Sequence, residues 1–94
     1  MNAEERLNQL KLRIIKRSVS DDEVERELNE LLDAFGDAPG HANYRGKIRS
    51  AIEQAKNYFQ TPEVGPDADR LRQLLIQDLT AAAFIADRMQ RSSR

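Results

Sequence analysis

The chain contains no cysteine. That excludes disulfide bonds, thiolate metal sites and a cysteine nucleophile, and it fits a reducing cytoplasm. A single histidine, His41, leaves only mixed histidine–carboxylate metal sites, and no H-E-x-x-H or comparable spacing occurs. The alternating acids and central glycine of a calcium loop are missing as well. No apolar run approaches the roughly 20 residues that cross a bilayer. The first ten residues, MNAEERLNQL, are acidic and amphipathic, without the basic start, continuous apolar stretch and small-residue cleavage site of a secretory signal. These features together predict a cytoplasmic protein that holds neither metal nor cofactor. Net charge is only −1, so the whole molecule lacks a strong pull on nucleic acid or anionic lipid.

What is present is helical pattern. The 94 residues suit one domain, and 39% hydrophobic with 33% charged residues is too apolar for a disordered chain and too charged for a membrane protein. Strand-type alternation is absent. Val24, Leu28, Leu31, Leu32 and Phe35 form one stripe roughly 100° wide. Ser20 is positioned as its N-cap, with Glu23 closing a capping box and Val19 and Val24 placed for a hydrophobic staple. Gly36 suits the left-handed residue that closes such a helix. The spacing therefore predicts a helix over about 21–35.

Tyr44, Ile48, Ala51, Ile52, Ala55, Tyr58 and Phe59 predict another over about 43–60, capped by Asn43 and stopped at Thr61-Pro62. Leu71, Leu74, Leu75, Leu79, Ala82, Ile85, Ala86 and Met89 give one over about 67–91, opened by Pro66 or Asp67. Leu7, Leu10 and Ile14 mark the first, over about 3–17. Four helices without strands predict a single all-α domain spanning 1–94, a small four-helix bundle.

Charge is distributed in blocks. Residues 1–20 sum to +3, residues 21–40 to −7, residues 41–60 to +3 and residues 61–94 to zero. The simplest expectation is complementarity between neighbouring helices, or solvated faces.

Several residues do not fit the stripes. Leu12 lies about 140° round from Leu7, and Ile15 falls between the two faces. On the fourth helix Ile76 and Ala83 share a flank, with Phe84 further round. Either the fourth helix is central and touched on most sides, or these residues form a patch for self-association or another protein. Leu12, Ile15, Ile76, Ala83 and Phe84 are the expected interface.

Residues 35–49, FGDAPGHANYRGKIR, hold three of the four glycines. They do not make a phosphate loop, because five residues instead of four separate Gly40 from the Gly46-Lys47 pair, Ile48 replaces the magnesium-binding hydroxyl, and no strand precedes them. Ser18, Ser20, Ser50 and His41 form no recognisable nucleophile–base arrangement, so no enzyme activity is expected. Arg45, Lys47 and Arg49, with Tyr44, give the third helix a basic face that could meet phosphates or an acidic partner. The long connection before it and a pI near 5.8 argue against a helix-turn-helix DNA reader. The basic, apolar run LKLRIIKR in the first helix resembles an interfacial helix, but the acidic helix after it predicts that these charges meet protein.

The sequence therefore predicts a small non-enzymatic helical regulator, inhibitor or adaptor. It is expected to act by binding protein, as a homodimer, with nucleic-acid binding through the third helix as the alternative. In general look it is of a kind with many small bacterial and phage proteins.

Overall fold

Four helices form where the periodicity places them. The structure, a computed structural model, describes residues 2–35, 41–61 and 65–92. The helices are α1 (Ala3–Ile15), α2 (Asp21–Leu32), α3 (Ala42–Gln60) and α4 (Pro66–Ser92). Among the described residues there is no strand, and the architecture is a small all-α bundle. The 27-residue α4 runs through the middle, packed on α1 along one side and on α3 along the other, while α2 covers α3.

The core is the sum of the predicted stripes. Leu7, Leu10 and Ile14 of α1 meet Val24, Leu28 and Leu31 of α2, Tyr44, Ile48, Ala51 and Ala55 of α3, and Leu75, Leu79, Ala82 and Ala86 of α4. Alanines take up much of the α3 and α4 share, so these two long helices can approach closely. Ser50 Oγ donates to Asp78 Oδ2 at 2.6 Å across the same contact. Leu74 departs from its expected place: one residue before Leu75 it is rotated about 100° from the buried line, and it is exposed.

The helix ends show what the stripes could not. Asn2 caps α1 by accepting the Glu5 N–H at 2.8 Å. At its other end α1 stops at Ile15, two residues short of expectation, in a Schellman arrangement. The Ser18 N–H reaches the Arg13 carbonyl at 3.0 Å and the Arg17 N–H reaches the Ile14 carbonyl at 3.1 Å. Arg17 has φ 56°, the left-handed conformation that a side chain opposes. Replacing Arg17 by glycine relieves this, and the Arg17→Gly chain is expected to gain about 0.5–1 kcal/mol, partly offset by the greater freedom of glycine when unfolded. A thermal melt should show Tm higher by about 2–8 °C.

Ser20 caps α2 as the sequence indicates. Its Oγ accepts the Glu23 N–H at 3.3 Å, and Val19 packs half-buried against the core that contains Val24. The Glu23 carboxylate also pairs with Arg13 of α1, and that bond, with the Ser20 contacts behind it, holds its pKa below the ordinary 4.5. A lowered folded pKa means stabilisation that is present above about pH 4.5 and lost as pH falls through the folded value. In acid titrations followed by circular dichroism, Glu23→Gln should therefore be less stable than the parent at pH 7. The difference should shrink below pH 4.5.

The helix α2 ends at Leu32, three residues before Phe35, and the expected closing residue Gly36 lies outside the described residues. The end is set from α3 instead. The Tyr44 hydroxyl donates to the Leu31 carbonyl at 2.6 Å, and Arg45 Nη1 donates to the Leu32 carbonyl at 2.9 Å. Both carbonyls lie in the last turn of α2, where i+4 partners are missing, and Leu31 also accepts the Ala34 N–H at 3.2 Å. Phe35 then folds over Tyr44, ring centroids 4.9 Å apart and edge to face. The expected cap of α3 is also corrected: His41, not Asn43, occupies the N-cap position and makes no side-chain cap bond. Contact between His41 and Phe35, with ring centroids 6.0 Å apart, and insertion of Tyr44 fix that start in place of an Asn43 cap. Thr61 ends α3 in the extended conformation favoured before proline, and Pro66 opens α4 at the position where its missing N–H costs nothing.

Candidate functional site

Two groups of residues stood out in the sequence, and the fold treats them differently. The basic residues of α3 are divided. Arg45 is nearly buried, with 14% of its side chain exposed, and besides the Leu32 carbonyl it faces Asp33 at 3.5 Å. It fastens α3 to the C-terminal end of α2. Lys47 and Arg49 are exposed and make no ion pair with a described residue.

Some charges of the first two blocks meet each other. Arg6 of α1 bridges Glu27 at 2.8 Å and Glu30 at 2.7 Å on α2, and Arg13 pairs with Glu23. Two cations of the basic first block thus meet three acids of the second. The two helices meet mainly through these side chains, since α1 packs chiefly on α4.

His41 is half-buried, and its Nδ1 is buried without a hydrogen-bond partner among the described residues. No described group of three histidine, aspartate or glutamate side chains is close enough to hold a metal ion. No described helix is long and apolar enough to cross a membrane.

The off-stripe apolar residues lie on α1 and α4, which pack together. The two helices are antiparallel: Glu4 near the start of α1 faces Asp87 near the end of α4, and Lys11 Nζ donates to Thr80 Oγ1 at 3.3 Å. That last bond sets the register. Ile15 lies one turn beyond Lys11 and Ile76 one turn before Thr80, so both border the same stretch of seam. Phe84 lies one turn after Thr80 on the outer line of α4, 64% exposed, with the Arg88 guanidinium 5.9 Å from its ring centroid. On α1, Ile15, 50% exposed, lies about 40° round from Lys11 beside the seam, whereas Leu12, 52% exposed, lies about 100° round and further from it. Ile76, Thr80, Ala81, Phe84 and Ile85 line a shallow apolar depression on α4.

Ala83 does not belong to this surface. It is buried in the core cluster, because 100° of helix rotation from Phe84 carries it to the flank of α4 that α1 covers. Sequence spacing correctly grouped it with Ile76 on one flank, but that flank is the inner side of the seam at Ala83. The pairing of Thr80 with Lys11, which sets the register of the surface, carried no signal in the sequence. Their significance depends on the pairing of two helices some 70 positions apart.

At one end of the seam two carboxylates face each other. Desolvation raises the pKa of Glu4, and the charge and hydrogen bond of Asp87 add to the effect, with Arg91 opposing it. A raised folded pKa means stabilisation that is complete below the ordinary 4.5 and lost as pH climbs through the folded value. Glu4→Gln should therefore stabilise the fold at pH 7 relative to the parent and lose that advantage near pH 4, as read by denaturant melts at the two pH values.

Comparison with known proteins finds no matching family model, no similar curated protein and no similar solved structure.

Proposed function

We propose that this chain is a small non-enzymatic helical protein that works by binding protein, as a homodimer, through the outer face of the α1–α4 seam. Its role, on this reading, is that of a cytoplasmic regulator, inhibitor or adaptor. The observation that carries the reading is the exposure of Leu12 and Ile15 on α1 and of Phe84 on α4, two helices that pack together, with Phe84 64% exposed on a helix that also supplies the core. Single exposed apolar side chains are ordinary, whereas several that adjoin on two packed helices mark an interface. The nucleic-acid alternative is weakened because Arg45, its central contact, is engaged with the Leu32 carbonyl.

Sedimentation of the full chain at high micromolar concentration tests the reading, and a dimer is expected. A monomer there removes the homodimer. In a dimer, Leu12→Glu and Phe84→Glu should both weaken association; an unchanged mass for both places the interface elsewhere.

A further inference from the structure

The outer line of α4 is nearly self-complementary when read in the opposite direction. Thr80 lies one residue from the midpoint of the 27-residue helix. Counting equally in both directions from Thr80 places Phe84 opposite Ile76, and Arg91 opposite Asp69. The first turn of α4 is acidic, with Asp67 and Asp69, and the last turn carries Arg91, preceded one turn earlier by exposed Arg88. Antiparallel alignment of two copies sets Asp69 of each, which Arg72 also holds, against Arg91 of the other, which Asp87 also holds, and opposes the helix dipoles. Parallel alignment sets Asp69 on Asp69 and Arg91 on Arg91. At the crossing point the side chains are Thr80 and Ala81, small enough for the helix axes to come close.

From these features, and resting on the reading above that the chain self-associates, we infer that two copies pair through antiparallel α4 helices about a two-fold axis at Thr80. Phe84 of each copy packs beside Ile76 of its partner, on the shallow α4 face that Gln77, Thr80, Ala81 and Ile85 complete. The area suits this occupant. An α4 strip about 40 Å long and 10 Å wide supplies roughly 400 Å² per copy, half of what a standard interface buries. The α1 flank with Leu12 and Ile15 supplies the remainder on a molecule 44 Å long and 22 Å wide.

Because the chain has no native cysteine, single cysteines can carry nitroxide labels without further changes. With a rise of 1.5 Å per residue, labels on Arg70→Cys should lie about 30 Å apart across an antiparallel pair. Labels on Thr80→Cys, at the axis, should fall within about 15 Å of each other. Equal short separations at both sites would mean a parallel pair, and a long separation at Thr80 would mean a different interface; either overturns this inference while leaving self-association intact. A monomer by sedimentation overturns both. Charge exchange gives a second measurement that does not depend on labels. Asp69→Arg should weaken dimerisation roughly 3- to 10-fold, and Asp69→Arg with Arg91→Asp should restore it. Because the variants also remove the Arg72–Asp69 and Arg91–Asp87 pairs, helix content is matched by circular dichroism, and failure to restore affinity at matched helicity counts against the register.

Discussion

Tyr44→Phe is expected to cost about 0.5–1.5 kcal/mol at neutral pH while leaving the fold unchanged, because it removes one of the two hydrogen bonds to the Leu31 carbonyl and leaves the Ala34 N–H bond at 3.2 Å. The ring stays in place: it is fully buried in the core and packed edge to face against Phe35. Only the hydroxyl that donates to the Leu31 carbonyl is lost. The effect also has a pH signature. Burial pushes the Tyr44 pKa up to about 12 from its ordinary 10.0, with Arg6 opposing the shift slightly. A raised folded pKa means stabilisation that is complete below about pH 10 and lost as pH rises towards 12, since the unfolded chain gains by ionising first. Urea melts at pH 8 should thus show the parent more stable than Tyr44→Phe, and the gap should narrow by pH 11. A constant gap would mean that the hydroxyl is not held in the buried, protonated state.

The same residue shows what can be read in a chain of this kind. The apolar face of α3 was legible at helical spacing, and Tyr44 was correctly placed on it. That its hydroxyl would close the end of α2 was not, because the carbonyl it meets belongs to a helix whose last turn cannot be located by period alone. The capping box of α2 was legible because its parts lie three residues apart. The C-terminal end was misplaced by three residues because its partners lie 13 residues on, in another helix. Arg17 is a similar case. Nothing in the sequence beside it distinguishes an arginine that adopts the left-handed conformation from one that continues a helix. The hydrogen bonds to Arg13 and Ile14 decide it.

Charge was legible as a sum and not as pairs. The alternation of basic, acidic and basic blocks predicted complementarity, and Arg6, Arg13 and Arg45 do meet carboxylates of the second block or its end. Which cations remain outside could only come from the fold. Arg45 looked like the leading phosphate contact of a basic helix face, yet it is the one drawn inward, while Lys47 and Arg49 of the same helix stay exposed. A position one residue after Tyr44 places Arg45 over the end of α2. The positions two and four residues further on turn away from it.

Ala83→Glu and Phe84→Glu, substitutions at neighbouring positions, should have opposite consequences. Phe84 is 64% exposed, so a carboxylate there keeps its water, and the monomer should change in stability by no more than about 0.5 kcal/mol. In a two-fold dimer the same substitution acts twice and puts a charge into both depressions. Association should fall by at least about 30-fold, the loss of a single interfacial anchor worth about 2 kcal/mol. Ala83 is 5% exposed, and α1 closes over its flank of α4. A charge placed there without a partner costs about 3–5 kcal/mol, a large part of the roughly 5–14 kcal/mol that holds a domain of this length together. Ala83→Glu should therefore lower the midpoint of a urea melt sharply, while Phe84→Glu should leave the midpoint near the parental monomer value and halve the sedimenting mass at dimer-forming concentration. If Phe84→Glu instead unfolds the chain, Phe84 supports the monomer and the seam is not a surface held open for a second copy. Sequence spacing placed these two residues together, and the structure separates them by one step of the helix. The pair thus measures whether the outer line of α4 is built for contact or only left uncovered.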